Sequence, residues 1–337
     1  MVKLSLLRAA LARSMRAVRV HEFGGPEVLT LDANVPLPSL TEPNQVLIRV
    51  KSAGVNPVAT YIRTGTHVIK PKLPYIPGED AAGVVEAVGE KVTKFKKGDR
   101  VFSYADASYA EFQAVPERRC WPLPDRLSFA QGAALAVPYF TAYRALIQKG
   151  RGRPGQSVLV HGASGAVGLA CVQMAKAYGL TVYGTAGTKE GLDLVRLNGA
   201  EHAFSHRKDG YVQQIMEATR QRGVDLILEM LSNVNLQNDL MMVAQDGIVA
   251  VIGCRGPIEI NPRLMMSKES TVIGVALGKA TDADWEELGS AVVPGLEQGW
   301  LVPVVQREYT LDQAAQAHTD VINTSGALGK LTLTVAQ

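Results

Sequence analysis

The apolar and polar positions of this chain fall into two rhythms. Between residues 157 and 277 short apolar runs alternate with stretches whose apolar residues recur at helical spacing. Residues 157–161, SVLVH, predict a buried parallel strand. Gly162, Gly165 and Gly168 follow, and from there Leu169, Val172 and Ala175 predict a helix that ends at Gly179. The alternation continues with 181–185 as strand, 189–198 as helix, 202–205 as a short strand and 210–222 as helix. Residues 224–230, 247–253 and 271–277 complete six strands, with a helix at 233–244. Six strands joined by crossover helices predict an α/β, doubly wound parallel sheet.

The preceding part of the chain has a period nearer two. MRAVRV, VLTLDANVPLP, QVLIRVKSAGV, residues 83–88 and residues 100–103 read as short strands separated by Gly and Pro clusters, with the lysine-rich turn 94–99 as a solvated face. From Ser128 the segment FAQGAALAVPYFTAYRALI turns helical, and a Gly/Arg/Pro-rich linker at 149–155 leads into the strand at 157. The domain boundary is expected near Pro138. Residues 282–298 predict a helix, and 302–310 and 330–335 predict strands that rejoin the first domain. The expected division is a basic extension at 1–14, one domain at 15–137 with 300–337, and an inserted domain at 138–299.

At 337 residues, 47% hydrophobic and 20% charged, the chain is large enough for two domains, and no window approaches the roughly 18 uninterrupted apolar residues of a membrane helix. Cys120, Cys171 and Cys254 are odd in number and far apart, which suggests neither a disulfide framework nor a thiolate zinc site. The net charge of +3 conceals an asymmetry: residues 1–20 carry Lys3, Arg8, Arg13, Arg16 and Arg19 with no acid, leaving 3 − 5 = −2 for the rest. A cytoplasmic protein with a disordered extension is expected; the alternative is a mitochondrial transit segment.

The glycines carry the first chemistry. Between a strand and a helix they allow a tight turn and close approach of backbone to a pyrophosphate, which the helix N-terminus also favours, so the implied ligand is a dinucleotide. A site for NAD ends its second strand in an acid that binds the ribose hydroxyls. Here that place reads Thr185-Ala186-Gly187-Thr188-Lys189, with no acid before Glu190. A 2′-phosphate is accommodated there, with Lys189, His206 and Arg207 available to surround it, so NADPH is the expected cofactor.

MRAVRVHEFGGPEVL, AGVNPVATYIRTG, PYIPGEDAAGVVEAVGE, FKKGDRVF, PYFTAYRAL, HGASGAVG and SGALGK together resemble the medium-chain dehydrogenase/reductases, and within them the zinc-free quinone reductases of zeta-crystallin type. The likeness runs from about Met15 to the C-terminus. It implies a GroES-like β-rich domain with an inserted Rossmann domain. It also implies cofactor contacts from Tyr61, Ser164, Gly165, Ala166, Val167, Gly168, Gly187, His206, Asn235, Ile252, Gly253, Cys254, Arg255, Val275, Ala276, Leu277 and Lys330. Two departures stand out: the segment FSYADAS is short, with Ala107-Ser108 where a Gly pair is common, and Ala166 replaces a frequent Gly.

Where zinc alcohol dehydrogenases of this superfamily carry Cys and His ligands, this chain has Asn56 and Glu79, so no metal is expected. Without a Lewis acid, stabilising an alkoxide is hard, whereas a quinone places developing charge on a weakly basic oxygen that neutral donors can hold. The resemblance assigns Asn56 as that donor and Tyr61 to the nicotinamide side. Read alone, Asn56 before Pro57 equally fits a turn, and Tyr61 fits packing. Thr141 could bond the nicotinamide amide or serve as a helix N-terminal residue. The expected reaction is NADPH-dependent reduction of quinones; alternatives are reduction of activated alkenes such as enals and enones, or the crystallin and RNA-binding roles known in the family. A homo-oligomer, tetramer or dimer, is implied by resemblance, and no RNA motif is readable.

Overall fold

The computed structural model describes residues 14–335; the basic extension, up to residue 13, lies outside the described residues. The chain forms two units. One comprises residues up to Ala133 together with Arg307–Ile322 and residues from Leu331 onward; the other comprises Ala134–Gln306 and Asn323–Lys330. The second unit therefore starts ahead of the expected boundary, since Pro138 lies inside a helix, Ala136–Tyr143. Residues 300–306 and 323–330 also belong to it rather than to the first unit.

In the first unit β1 (Ser14–Val20) and β2 (Leu29–Pro36) pair antiparallel. The strands β3 (Gln45–Val55), β4 (Asp80–Val88), β5 (Arg100–Tyr104), β6 (Phe112–Pro116) and β7 (Cys120–Pro122) form most of a seven-stranded sheet. In β3 Val46, Ile48 and Val50 are fully buried while Arg49 is exposed, which is the alternation read from sequence. The first helix, α1 (Pro57–Arg63), begins directly after β3, with Pro57 at its first position. It lies where only strands and loops were expected. The short α2 (Phe129–Gly132) starts at Ser128 with a reciprocal Ser–Gln capping box.

The second unit opens with α3 (Ala136–Tyr143), and its sheet begins at β8 (Ser157–Val160), whose four residues are all buried. Then follow α4 (Ala166–Ala177), β9 (Thr181–Ala186), α5 (Lys189–Leu197), β10 (His202–Ser205), α6 (Tyr211–Ala218), β11 (Val224–Glu229), α7 (Ser232–Met242) and β12 (Val243–Val251). The unit continues with α8 (Arg263–Lys268), β13 (Thr271–Gly274) and α9 (Asp282–Gln298). The six strands stand in the order β10-β9-β8-β11-β12-β13, every neighbour parallel. Counted within the sheet this is 3-2-1-4-5-6, a doubly wound arrangement whose order reverses between β8 and β11. The helix α8 lies between strands where none was expected, and β13 ends at Gly274, so Leu277 begins a 3-10 turn instead of closing the strand.

Beyond it come β14 (Val305–Thr310), α10 (Ala314–Asn323) and β15 (Lys330–Thr334), with β14 on the edge of the seven-stranded sheet and β15 between it and β3. The helix α10 was not expected; its Ala314 and Ala317 are buried, too small to mark a periodic apolar face in sequence. His318 on it is held by Tyr109 Oη and an Arg63 nitrogen, each at 3.1 Å, and burial pushes its pKa down to about 3, with Arg63 adding to the effect. Among the described residues no helix is long and apolar enough to cross a membrane.

Candidate functional site

The three spaced glycines meet different constraints. Gly162 takes φ +56°, a left-handed conformation that L side chains rarely adopt. A methyl on Gly168 would come within 2.4 Å of Gly162 O and 2.6 Å of Ala163 Cα, so close packing of α4 on the turn requires glycine. At Gly165 a methyl would meet nothing nearer than Gly162 O at 3.4 Å. The protein alone therefore does not demand glycine at 165; a phosphate approaching that backbone would. Gly165 is the N-cap of α4 and no side chain caps this end, which leaves the helix start suited to an anion. Ala166 and Val167 are the first residues of α4, and Ser164 is buried with its carbonyl accepting the Gly329 N–H at 2.8 Å. Gly165 and Gly329 form a parallel bridge, so the SGALGK tail lies along the loop. Its Lys330 is buried at 3% exposure.

At the end of β9 the missing acid has a structural counterpart. A methyl on Gly187 would come within 2.9 Å of Arg207 Nε and 3.1 Å of His206 Nε2, so these two side chains overlook the bare backbone. A cavity of about 200 Å³ runs beside them, lined by residues 206–212. Burial, with His161 and Arg207 nearby, pushes the His206 pKa down. Lys189 is engaged otherwise: its Nζ bonds Asp193 at 2.7 Å on the exposed face of α5.

The remaining expected cofactor positions follow the carboxyl ends of later strands. Asn235, on α7, donates from Nδ2 to Glu229 Oε1 at 3.2 Å. Ile252 and Gly253 donate their N–H groups to Glu229 O, and a methyl on Gly253 would lie 2.2 Å from Met230 O. Cys254 is exposed, its pKa lowered by bonds from Ser232 and to Gly256 O, and Arg255 is bound through its backbone N–H to Asn233 Oδ1. Val275 and Leu277 are buried and Ala276 is exposed. Thr141 is the sixth residue of α3, buried at 7%, so it is not the helix N-terminal residue that sequence suggested.

Sequence reading passes over a group under the glycine loop. His161, directly after β8, Glu229, the last residue of β11, and Asp239 on α7 are 0–2% exposed in their side chains. Among the described residues they are the one cluster of three or more side chains with metal-ligating atoms within 4.8 Å of one another. The available sign was a carboxylate ending an otherwise apolar strand and another on a buried helix face.

In the first unit Asn56 caps α1 by position but not by side chain. It is 4% exposed and its Nδ2 donates to Oδ2 of the fully buried Asp80 at 2.9 Å. A solvated Asn-Pro turn is thus excluded: the amide is oriented by a carboxylate. Gly54 permits this, since a methyl there would lie 2.2 Å from Ala133 O and 2.8 Å from Asp80 Cβ. Glu79 accepts a bond from Tyr104 Oη at 3.4 Å. Tyr61 is half-buried on α1. An apolar cavity of about 240 Å³ is lined by Ala59 and Ile62 of α1, with Tyr75, Ile76, Pro77 and Glu79. Ala107 holds φ +69° where a Gly pair is common, so the short loop keeps a glycine-like backbone without glycine.

A family profile described as an alcohol dehydrogenase GroES-like domain matches residues 42–125, and one described as a zinc-binding dehydrogenase matches 166–293. The quinone oxidoreductase of Mus musculus is 53% identical over 323 residues, covering 95% of this chain and 97% of the mouse protein. That of Homo sapiens is 52% identical over 321 residues, covering 95% and 97%. Among solved structures, the Escherichia coli quinone oxidoreductase complexed with NADPH matches with a TM-score of 0.86 at 27% identity, covering 95% of this chain and all of that one. An NAD-dependent alcohol dehydrogenase matches at 0.87 and 27%, covering 96% and 100%.

A GroES-like unit and a doubly wound nucleotide unit in one chain define an oxidoreductase of the medium-chain dehydrogenase/reductase class, binding a nicotinamide dinucleotide. Within that class the chain belongs to the quinone oxidoreductase family.

Proposed function

We propose that the protein reduces quinones with NADPH and without zinc. The observation that carries the cofactor choice is Gly187, bare at the end of β9 and overlooked by the cationic Arg207 and by His206. That place suits a 2′-phosphate, since β9 does not end in an acid that would repel it. The residues suit the cofactor elsewhere too: at Gly165 the backbone is open, and the α4 N-terminus offers its dipole to a pyrophosphate. When bound, NADPH supplies a hydride. Asn56, fixed by Asp80, presents a neutral amide as donor toward the quinone oxygen on which charge develops, and its preset orientation avoids the cost of reorganisation. Tyr61 is the neighbouring donor on α1, Thr141 is proposed on the nicotinamide side, and the apolar cavity beside Ile62 and Tyr75 suits a flat, uncharged ring. The mouse and human relatives named quinone oxidoreductases support the acceptor class. A homo-oligomer is part of this proposal, supported by the open edge at β13.

NADPH oxidation with ortho-quinones, para-quinones, enones and primary alcohols tests it, with NADH in parallel and a chelator control. We expect quinones to turn over fastest, NADPH to be preferred, and chelator to have no effect. Asn56→Ala is expected to lower kcat/KM for quinones about tenfold or more while KM for NADPH stays near wild type. Preference for NADH removes the 2′-phosphate assignment; faster enone turnover transfers the reading to alkene reduction; chelator-sensitive alcohol oxidation overturns the zinc-free mechanism.

A further inference from the structure

His161, Glu229 and Asp239 sit at the place where the order of the doubly wound sheet reverses. His161 leaves β8 and Glu229 ends β11, adjacent parallel strands, and the His161 N–H donates to Leu228 O at 3.0 Å. They form the floor under the crevice in which such sheets bind ligands. His161 Nε2 stands 2.9 Å from Asp239 Oδ1 and 3.7 Å from Glu229 Oε2, yet neither contact is aligned as a hydrogen bond, and Nε2, Glu229 Oε2 and both Asp239 oxygens have no such partner. On its other side His161 Nδ1 is 3.2 Å from Thr185 Oγ1, which also accepts the Gly162 N–H at 3.3 Å. Glu229 Oε1 accepts from Leu231 N–H and from Asn235. The cluster is thus tied to the first glycine of the phosphate loop on one side and to the start of α7 on the other.

Two acids and one base, fully ionised, would leave a net charge of −1 out of contact with water. A buried charge of that kind is costly unless something neutralises it. A cation and a proton are the two candidates. Two donors on one tetrahedral ion at about 2.0–2.1 Å stand about 3.3–3.4 Å apart. The 2.9 Å between His161 and Asp239 is shorter than that, which leaves a proton as the neutralising charge.

We propose that His161, Glu229 and Asp239 together hold two protons beneath the phosphate loop, one making His161 an imidazolium and one on Glu229, and that NADPH binds best while the Glu229 proton is retained, which makes them positioning residues for the dinucleotide. The inference rests on NADPH being the cofactor. Its basis is charge: with imidazolium facing Asp239 and Glu229 protonated the floor is neutral, and losing the Glu229 proton puts a negative charge under a phosphate-binding turn. Burial raises the Glu229 pKa to about 7, opposed by His161 and reinforced by Asp239, while the carboxylates outweigh burial and raise that of His161. The other groups facing the cluster are His206, lowered by burial and by His161, and Tyr211 on α6, raised chiefly by burial and also by both carboxylates; Thr185 does not titrate. Because the Glu229 pKa lies above its ordinary value, the protonated form is the one the fold favours. Cofactor affinity should therefore fall as pH rises through about 7.

The test is the Kd for NADPH, read by quenching of tryptophan fluorescence across a pH range of about 6 to 8.5, for wild type and Glu229→Gln. Glutamine keeps an oxygen for the Leu231 and Asn235 donors and cannot ionise. The ratio of wild-type to variant Kd cancels the titration of the 2′-phosphate itself, and is expected to rise about threefold or more over the range. A ratio independent of pH overturns the proposal. Should the variant fail to fold, calorimetry of wild type in two buffers of different ionisation enthalpy decides: net proton uptake on binding NADPH at a pH of about 7.5 is expected, and release or none overturns it. Stoichiometric divalent metal in the purified protein would overturn it in favour of a cation. Absence of NADPH binding at every pH would instead remove the functional reading beneath it.

Discussion

Gly165 and Gly168 are three residues apart and identical in sequence, yet their surroundings differ. A methyl at 165 makes only ordinary contacts, with Gly162 O at 3.4 Å and Ala327 Cβ at 3.8 Å, whereas one at 168 would strike the Gly162–Ala163 backbone. Gly165→Val should consequently leave the thermal midpoint within a few degrees of wild type and abolish NADPH binding, because its branches occupy the volume a phosphate must enter. Gly168→Ala should behave oppositely, costing about 1–3 kcal/mol of stability through overpacking. Thermal melts beside cofactor titrations separate them, and unchanged binding in Gly165→Val would show that this loop is not the phosphate site. The spacing of the glycines was legible in sequence; their division of labour was not, since it depends on how closely α4 lies against the turn. Asn56 is a similar case. Its place before Pro57 suggested a turn as readily as a donor, and only its long-range bond to Asp80 separates the two.

At the scale of elements, legibility tracked periodicity. Strands with continuous apolar runs and helices with long repeats fell within a few residues of expectation, and α9 matched at both ends, its start fixed by the Thr281 capping box and its end by Gly299 at φ +90°. The helices missed, α1, α8 and α10, have six to ten residues, too few turns for a periodic face to emerge, and the strands β6 and β7, of five and three residues, were missed as well. The pairing of β8 with β11 was not legible in either strand, and one carboxylate secures its base. Asp225 accepts from the Ser157 N–H and hydroxyl, both at 2.7 Å, and from Arg222 at 2.7 and 2.9 Å. Arg222 and the Ser157 bonds pull its pKa from 3.8 down to about 2 against burial. The folded state therefore favours the carboxylate, so the stabilisation is complete above the unfolded value and is lost as pH falls through about 2. Asp225→Asn should lower stability by on the order of 1–2 kcal/mol at neutral pH and flatten the acid limb of a plot of urea midpoint against pH. An acid limb identical to wild type would contradict this.

Across the whole molecule the question is where the basic charge resides. Sequence places five basic residues and no acid in the first twenty, which invites reading them all as a free cationic arm. Two of them are committed in β1: Arg16 pairs with Glu111 at 2.8 Å and Arg19 with Asp32 at 3.3 Å. That leaves Lys3, Arg8 and Arg13 as the charge of residues 1–13, and removing those residues brings the net charge to 3 − 3 = 0. Non-specific attachment to RNA scales with the number of phosphates a protein neutralises, and three cations give a shallow salt dependence, a slope of roughly −2 for a single strand. Any RNA binding by this chain should accordingly be weak, fall with added salt along that slope, and vanish when residues 1–13 are deleted, while quinone turnover with NADPH is unaffected. A salt titration of RNA binding for full-length and truncated protein measures this. Persistence of tight, salt-resistant binding in the truncated protein would place an RNA site on the folded units themselves, and with it a second activity that neither the charge pattern nor the nucleotide fold accounts for.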